Sequence, residues 1–375
     1  MVKVVASTFS ALLLTISAVM AQINVADYPT INEVPPVTSA QVQAWLKEVD
    51  LSGAPNIPVL TAPKGSPPAC VVPAVANSCV WTCDNCPSDD ITSCAVPNTW
   101  GLTFDDGPST ATPTLLDFLK TNKLSASFFL IGSNVIQYPD TVKREVTEGH
   151  HLASHTWSHT ALTTLTNVQI VAEMKWTEKA VMAATGLRLK YMRPPYGDIN
   201  NRVRYVLKQL GYTPVDWTGD AFDTNDWRIG SSGFTEAQAV SVFSKSLDTY
   251  VNSTKASGFY CLEHDVSATT VSAALKLIPQ GISRKINFAN VATCQSDASP
   301  YQSGSNTIAT TTSGSSTASS TKTSGGTATS TSSTGSGSSG NNTSSGPKVV
   351  SAAGSQVASI GVVSAIAAAA AALLA

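Results

Sequence analysis

Residues 149–159, "GHHLASHTWSH", hold four of the five histidines of this 375-residue chain. His151, His155 and His159 recur every four residues, so on a helical turn they would share one face. Two imidazoles at i and i+4 can grip one metal ion, and Zn²⁺ then needs a single further protein ligand to keep a position open for water. The plainer alternative is a solvated helix face. Upstream, residues 103–108 read "TFDDGP". Adjacent carboxylates are costly unless a cation or a division of labour separates their protonation states. A His/His/Asp site would use one as a ligand and leave the other as a base. Standing alone, Asp-Asp-Gly-Pro would read as a surface turn. Spacing admits either His151 with His155 or His155 with His159.

These residues need a frame, and one begins near Trp100. "WGLTF" reads as a short strand, "PTLLDFLKTN" as a helix, "SASFFLIG" as a strand and "PDTVKREVTEG" as a helix. Residues 167–184 place Val171, Met174 and Val181 on one stripe, and Gly186 closes the helix. "KYMRPPYG" is a strand running into a turn. Residues 201–210 are helical, "YTPVDW" a strand, 235–250 helical, "GFYCLEH" a strand and 268–279 helical. Such β-then-α units, about 25–30 residues apart, predict a parallel sheet, open or closed into a barrel. Asp105 and Asp106, Arg193 and His264 all fall where strands end. Barrel enzymes place their chemistry there.

"TFDDGP", "HTWSH", "RPPYG", "DTNDW" and "LEHD" occur in that order. Together they resemble the motifs of the polysaccharide deacetylases of the NodB homology type (carbohydrate esterase family 4), which include fungal chitin deacetylases. The resemblance runs from about Trp100 to about Cys294. It implies a distorted (β/α) barrel and metal-dependent removal of N-acetyl groups. Position by position, it makes Asp106, His155 and His159 ligands of a divalent metal, Zn²⁺ or Co²⁺, with His151 a bystander and His150 of no role. Asp105 becomes the general base and Arg193 its holder. Tyr196 offers a backbone N–H to the oxyanion, Asp226 orients the acid His264, Trp227 lines the substrate groove, and Leu262 packs under the acetyl methyl. The resemblance also implies a Cys94–Cys294 disulfide joining the ends of the domain.

The remaining chain reads differently. Residues 1–21 have Lys3, an apolar run and small residues at Val19 and Ala21, the pattern of a secretory signal peptide. Residues 22–95 form an extension rich in Pro, Ser and Thr, with one helix near "SAQVQAWLKEVD" and a Cys70, Cys79, Cys83, Cys86 cluster. In an oxidising compartment these are disulfides first, two local bridges stapling a loop-rich segment. With seven cysteines one thiol is left over, and Cys261 in "GFYCLEH" is the candidate. The catalytic domain is expected at 96–296.

Residues 297–346 form a Ser/Thr/Gly-rich linker that cannot bury enough apolar surface to fold. O-glycosylation would stiffen it into a stalk spanning on the order of 100 Å. Residues 347–375 end in an uncharged apolar tail preceded by Ser344, Ser345 and Gly346. That is the pattern of a glycosylphosphatidylinositol signal, with Ser344 as the attachment residue. Asn252, Asn341 and Asn342 begin glycosylation sequons.

A net charge of −2 forces no basic face and argues against a nucleic-acid partner. The expectation is a secreted, lipid-anchored monomer acting on chitin or chito-oligosaccharides in a fungal wall. Trp157, Trp227 and Tyr196 are candidates for stacking on sugars, whereas Trp100, Trp176 and Trp217 are read as core. Competing readings are an esterase for O-acetyl xylan, a non-catalytic wall adhesin, and a thiol-redox role for "CDNC".

Overall fold

The computed structural model describes residues 23–70, 75–84 and 88–305. In chain order these contain α1 (Ala40–Trp45), α2 (Trp81–Asp84), β1 (Thr99–Gly101), β2 (Thr103–Asp105), α3 (Thr112–Thr121), β3 (Ser127–Leu130), α4 (Gly132–Val135) and α5 (Pro139–Thr147). There follow β4 (His151–Ser154), α6 (Asn167–Thr185), β5 (Tyr191–Met192), α7 (Asn201–Gln209), β6 (Thr213–Pro214) and α8 (Glu236–Val251). The last are β7 (Phe259–Tyr260), α9 (Ala268–Ser283), β8 (Asn287–Ala289) and α10 (Val291–Cys294).

One parallel sheet runs β2-β3-β4-β5-β6, and a second places β1 between β7 and β8. β1 and β2 are one extended stretch broken at Leu102. Parallel bridges Asp105–His264 and Asp223–Leu262, with the Thr218 N–H donating to Tyr260 O at 3.1 Å, join the two sheets. The strands therefore curl into a distorted (β/α) barrel, as expected.

Alternation along each strand divides two cores. Phe104, Phe128, Leu130, Leu152 and Met192 point outward under the helices. Phe129, Ala153, Tyr191, Val215 and Tyr260 fill the lumen. Helix ends follow local chemistry. Thr166 and Gln169 form a reciprocal capping box at the start of α6, and Gly186 ends it with φ +75°. Thr235 with Gln238 starts α8 in the same way. Val171, Met174 and Val181 are all fully buried, as their stripe predicts.

The histidine spacing does not come from a helix. Residues 151–154 are strand β4, His155 follows its end, and His159 sits in a turn with φ +56°. β4 lies between two strands and is buried along its whole length. Its "HLAS" therefore shows neither alternation nor a stripe. His151 stands at the start of the strand, its Nδ1 2.9 Å from the Ser127 hydroxyl, and His150 Nδ1 accepts from the Ala126 N–H. Burial pushes both imidazoles down to about 4.

Residues after α10 brace this same end of the barrel. Leu152 N–H donates to the Tyr301 hydroxyl, and Gln302 Nε2 donates to Leu189 O at 2.7 Å and Leu210 O at 3.2 Å. The Arg188 N–H donates to Ser305 Oγ.

The segment before Trp100 is mostly irregular, yet it packs closely. Val42 of α1 is fully buried, Tyr28 stacks on Trp157 with centroids 5.9 Å apart, and Trp45 meets the edge of Trp176. Cys70 pairs with Cys83, and Cys79 is also oxidised; Cys86 lies outside the described residues. Cys261 is the buried free thiol among the described residues. Cys94 and Cys294 are joined across 200 residues of sequence, both fully buried. Closing so long a loop restricts the unfolded chain strongly. Urea unfolding of the double C94S/C294S variant is expected to show a loss of about 2–5 kcal/mol.

Candidate active site

β2 delivers Asp105 to the barrel mouth by alternation, and the turn that follows delivers Asp106. Phe104 goes outward, so Thr103 and Asp105 face the lumen. Arg193, just past β5, is 1% exposed. Its Nη1 donates to Asp105 Oδ1 at 2.9 Å and to Thr103 Oγ1 at 3.1 Å, and its Nε to Val215 O at 3.1 Å. The guanidinium also lies 4.3 Å over the Phe129 ring. A buried ion pair needs further hydrogen bonds to offset its desolvation. Nε and Nη1 of Arg193 make them, while its buried Nη2 has no partner among the described residues.

Asp106 turns out of the strand with φ +73° and faces the two imidazoles. Its Oδ1 lies 3.1 Å from His159 Nε2 and 3.4 Å from His155 Nε2. One donor atom from each of the three residues lies within 4.8 Å of the others. His155 Nδ1 is 2.8 Å from Arg193 O. A carbonyl only accepts, so that nitrogen carries the proton and Nε2 turns a lone pair toward Asp106. Asp106 Oδ1 is itself buried with no hydrogen-bond partner among the described residues. A lone pair aimed at an unpartnered carboxylate oxygen is unfavourable unless a cation sits between them. An N/N/O set open on one side suits Zn²⁺ or a similar divalent ion. Burial opposes ionisation of Asp106, but the neighbouring imidazoles outweigh it and hold the carboxyl well below its ordinary range. Burial pushes His159 down to about 4, against the pull of Asp106.

On the other side stands His264. Its Nδ1 is 2.6 Å from Asp226 Oδ1, its own N–H donates to Asp226 Oδ2 at 2.8 Å, and its Nε2 is 4.0 Å from Asp106 Oδ2. Burial would lower its pKa; Asp226, with help from Asp106 and Asp105, raises it to about 10. Tyr196 adopts φ +63°, and among the described residues its N–H has no acceptor. Its hydroxyl lies 3.2 Å from His159 Nδ1, a contact that the motif did not announce. Trp227 is 58% exposed at the rim, with Nε1 donating to Asp223 Oδ2. Leu262 is nearly buried beside Asp223.

Trp157 is a correction. It is fully buried, donates Nε1–H to Thr30 O at 3.2 Å and stacks on Tyr28, so it cannot meet a sugar. Lying between two site histidines in sequence says nothing about which way a side chain points. Trp100, Trp176 and Trp217 are buried, as read. Asp265 follows His264 and closes the "LEHD" motif, whose pattern alone assigns it no role. It is fully buried, accepts from the Thr112 hydroxyl and is raised to about 7 by burial. It packs so closely on Gly107 that any Cβ there would collide with it. Asn252 is exposed after α8, its Nδ2 donating to Asp248 O. Asn341, Asn342 and Ser344 lie outside the described residues.

Comparison with known proteins agrees with this arrangement. Residues 92–215 match the family model described as polysaccharide deacetylase. The chain is 41% identical over 270 residues to chitin deacetylase 1 of Cryptococcus neoformans, covering 69% of this chain and 56% of that protein. It is 41% identical over 292 residues to a chitin deacetylase of Amylomyces rouxii, covering 74% and 68%. The match thus spans only about half to two thirds of these relatives' lengths. Among solved structures, the chitin deacetylase of Colletotrichum lindemuthianum aligns with a TM-score of 0.52 at 32% identity, over 58% of this chain and 97% of that one. The barrel, the converging Asp106, His155 and His159, and these relatives lead to one conclusion: the chain belongs to the polysaccharide deacetylase family.

Proposed function

We propose that this domain hydrolyses the N-acetyl groups of N-acetylglucosamine units in chitin, giving acetate and chitosan. The observation that carries the reading is the pair of held side chains flanking the triad: Asp105 gripped by Arg193, and His264 gripped by Asp226. Asp106, His155 and His159 would hold a Zn²⁺ or Co²⁺ ion, which would supply Lewis acidity toward an acetamido carbonyl and a water molecule. Asp105 then accepts the proton of the attacking water, and Arg193 keeps its carboxylate aimed inward. The Tyr196 N–H receives the developing oxyanion. His264 passes a proton to the departing sugar nitrogen, which would otherwise be a poor leaving group. Trp227 offers a ring face to the sugar at the rim, and Leu262 an apolar floor for the acetyl methyl.

The relatives' names support chitin as the substrate. Acetate release from chitin oligomers, run beside acetylated xylan, tests it. Chitin oligomers are expected to yield acetate, a chelator to abolish the yield and zinc to restore it. Release from xylan alone would instead assign an O-acetyl esterase.

The organisation read from the sequence is proposed with one change: a signal peptide at 1–21, an extension at 22–95, the catalytic domain from 96, and an anchor signal at 347–375. The stalk starts after Ser305 rather than at 297, because Tyr301, Gln302 and Ser305 are bonded to the barrel. Compositions at both ends support secretion and lipid anchoring at the outer face of the plasma membrane or the cell wall. Among the described residues no helix is long and apolar enough to cross a membrane.

A further inference from the structure

The turn between His155 and His159 has an unusual need of support. Thr156 and His159 both adopt left-handed backbone, with φ +68° and +56°. Neither is glycine, so each conformation costs on the order of 1 kcal/mol and persists only when its surroundings impose it. The surroundings here converge on one side chain from α6. Glu173 Oε2 accepts from the Trp157 N–H at 2.8 Å and the Ser158 N–H at 2.9 Å. Its Oε1 accepts from the Ser158 hydroxyl at 2.6 Å. Glu173 is fully buried, with no cation paired to it among the described ion pairs.

The same turn is tied from its other side. Gly132 and Ser133 at the start of α4 donate N–H groups to Thr156 O at 2.8 Å and Trp157 O at 3.2 Å. The carbonyls thus face α4 and the amides face Glu173. A buried carboxylate without a cation is expensive. Three inward-pointing donors offset that cost only while the turn keeps this shape.

We propose that Glu173 is a positioning residue for the metal site: its carboxylate holds the 156–158 turn so that the His155 and His159 Nε2 atoms converge. This rests on the metal reading above. Partners that orient metal ligands typically contribute about 10–100-fold to metal affinity. The test is zinc affinity, measured by competition with a chromogenic chelator on purified, folded protein. E173A leaves the buried Trp157 N–H and the half-buried Ser158 N–H without their acceptor and is expected to bind zinc about 10–100-fold more weakly. E173Q keeps one oxygen for both N–H groups, and its amide can donate to the Ser158 hydroxyl. It is expected to restore most of the affinity. E173D, shorter by one methylene, is expected to fall between and covers the case in which E173A fails to fold. A folded E173A or E173D that melts earlier but binds zinc like the wild type would show a structural role alone and overturn the proposal. Wild-type protein that binds no zinc would instead overturn the metal reading itself.

Discussion

Asp105→Asn is expected to lower turnover of acetylated chito-oligomers about 10²–10⁴-fold, with zinc still bound. The amide is isosteric and keeps an oxygen toward Arg193, whose Nη1 lies 2.9 Å from Asp105 Oδ1. What disappears is the capacity to accept a proton. Asp106, His155 and His159 are untouched, so metal content should stay at the wild-type level while acetate release falls. His155→Ala makes the contrast, since it removes a ligand and should lose metal and activity together. The Arg193 guanidinium has other partners in Thr103 and Val215, which limits the structural damage of the Asn variant. A melting curve run beside the metal analysis reads that damage separately. If Asp105→Asn keeps wild-type turnover, Asp105 is not the base.

The second large effect belongs to the acid. His264→Ala is expected to cost a similar factor in kcat, again with metal retained. Asp226→Asn should be milder but more informative. Asp226 holds two groups of His264, the ring Nδ1 and the backbone N–H, and its charge lifts the imidazole to about 10 against burial. A general acid must be protonated, so activity declines as pH rises through its pKa. Without the carboxylate, burial is less opposed and that decline moves to lower pH. A pH–rate profile of Asp226→Asn should therefore show its alkaline limb displaced downward, with less change at acidic pH. An alkaline limb at the wild-type position would separate Asp226 from the protonation of His264.

Much of this architecture was legible because it rests on local rules. Gly186 stops α6, Val171, Met174 and Val181 mark its inner stripe, and "LTF" followed by two aspartates places Asp105 at a strand end. What could not be read depends on neighbours far away in sequence. β4 was hidden because burial on both faces erases alternation, and the regular histidine spacing suggested a helix instead. Trp157 looked like a sugar platform because only the fold shows Tyr28 and Thr30 lying over it. Glu173 belongs to no motif and stands inside a helix that is buried along most of its surface. Its meaning appears only when the turn of residues 156–158 is seen to end on it.

The brace formed by Tyr301, Gln302 and Ser305 has a mechanical corollary. These residues grip the origins of β4, β5 and the turn after α7, at the pole opposite Asp106 and His264. Tension applied to the polypeptide beyond Ser305 would enter through that floor and be spread over backbone amides and carbonyls of the scaffold. The rim carrying Trp227 would be spared direct load and left to face outward along a polymer strand.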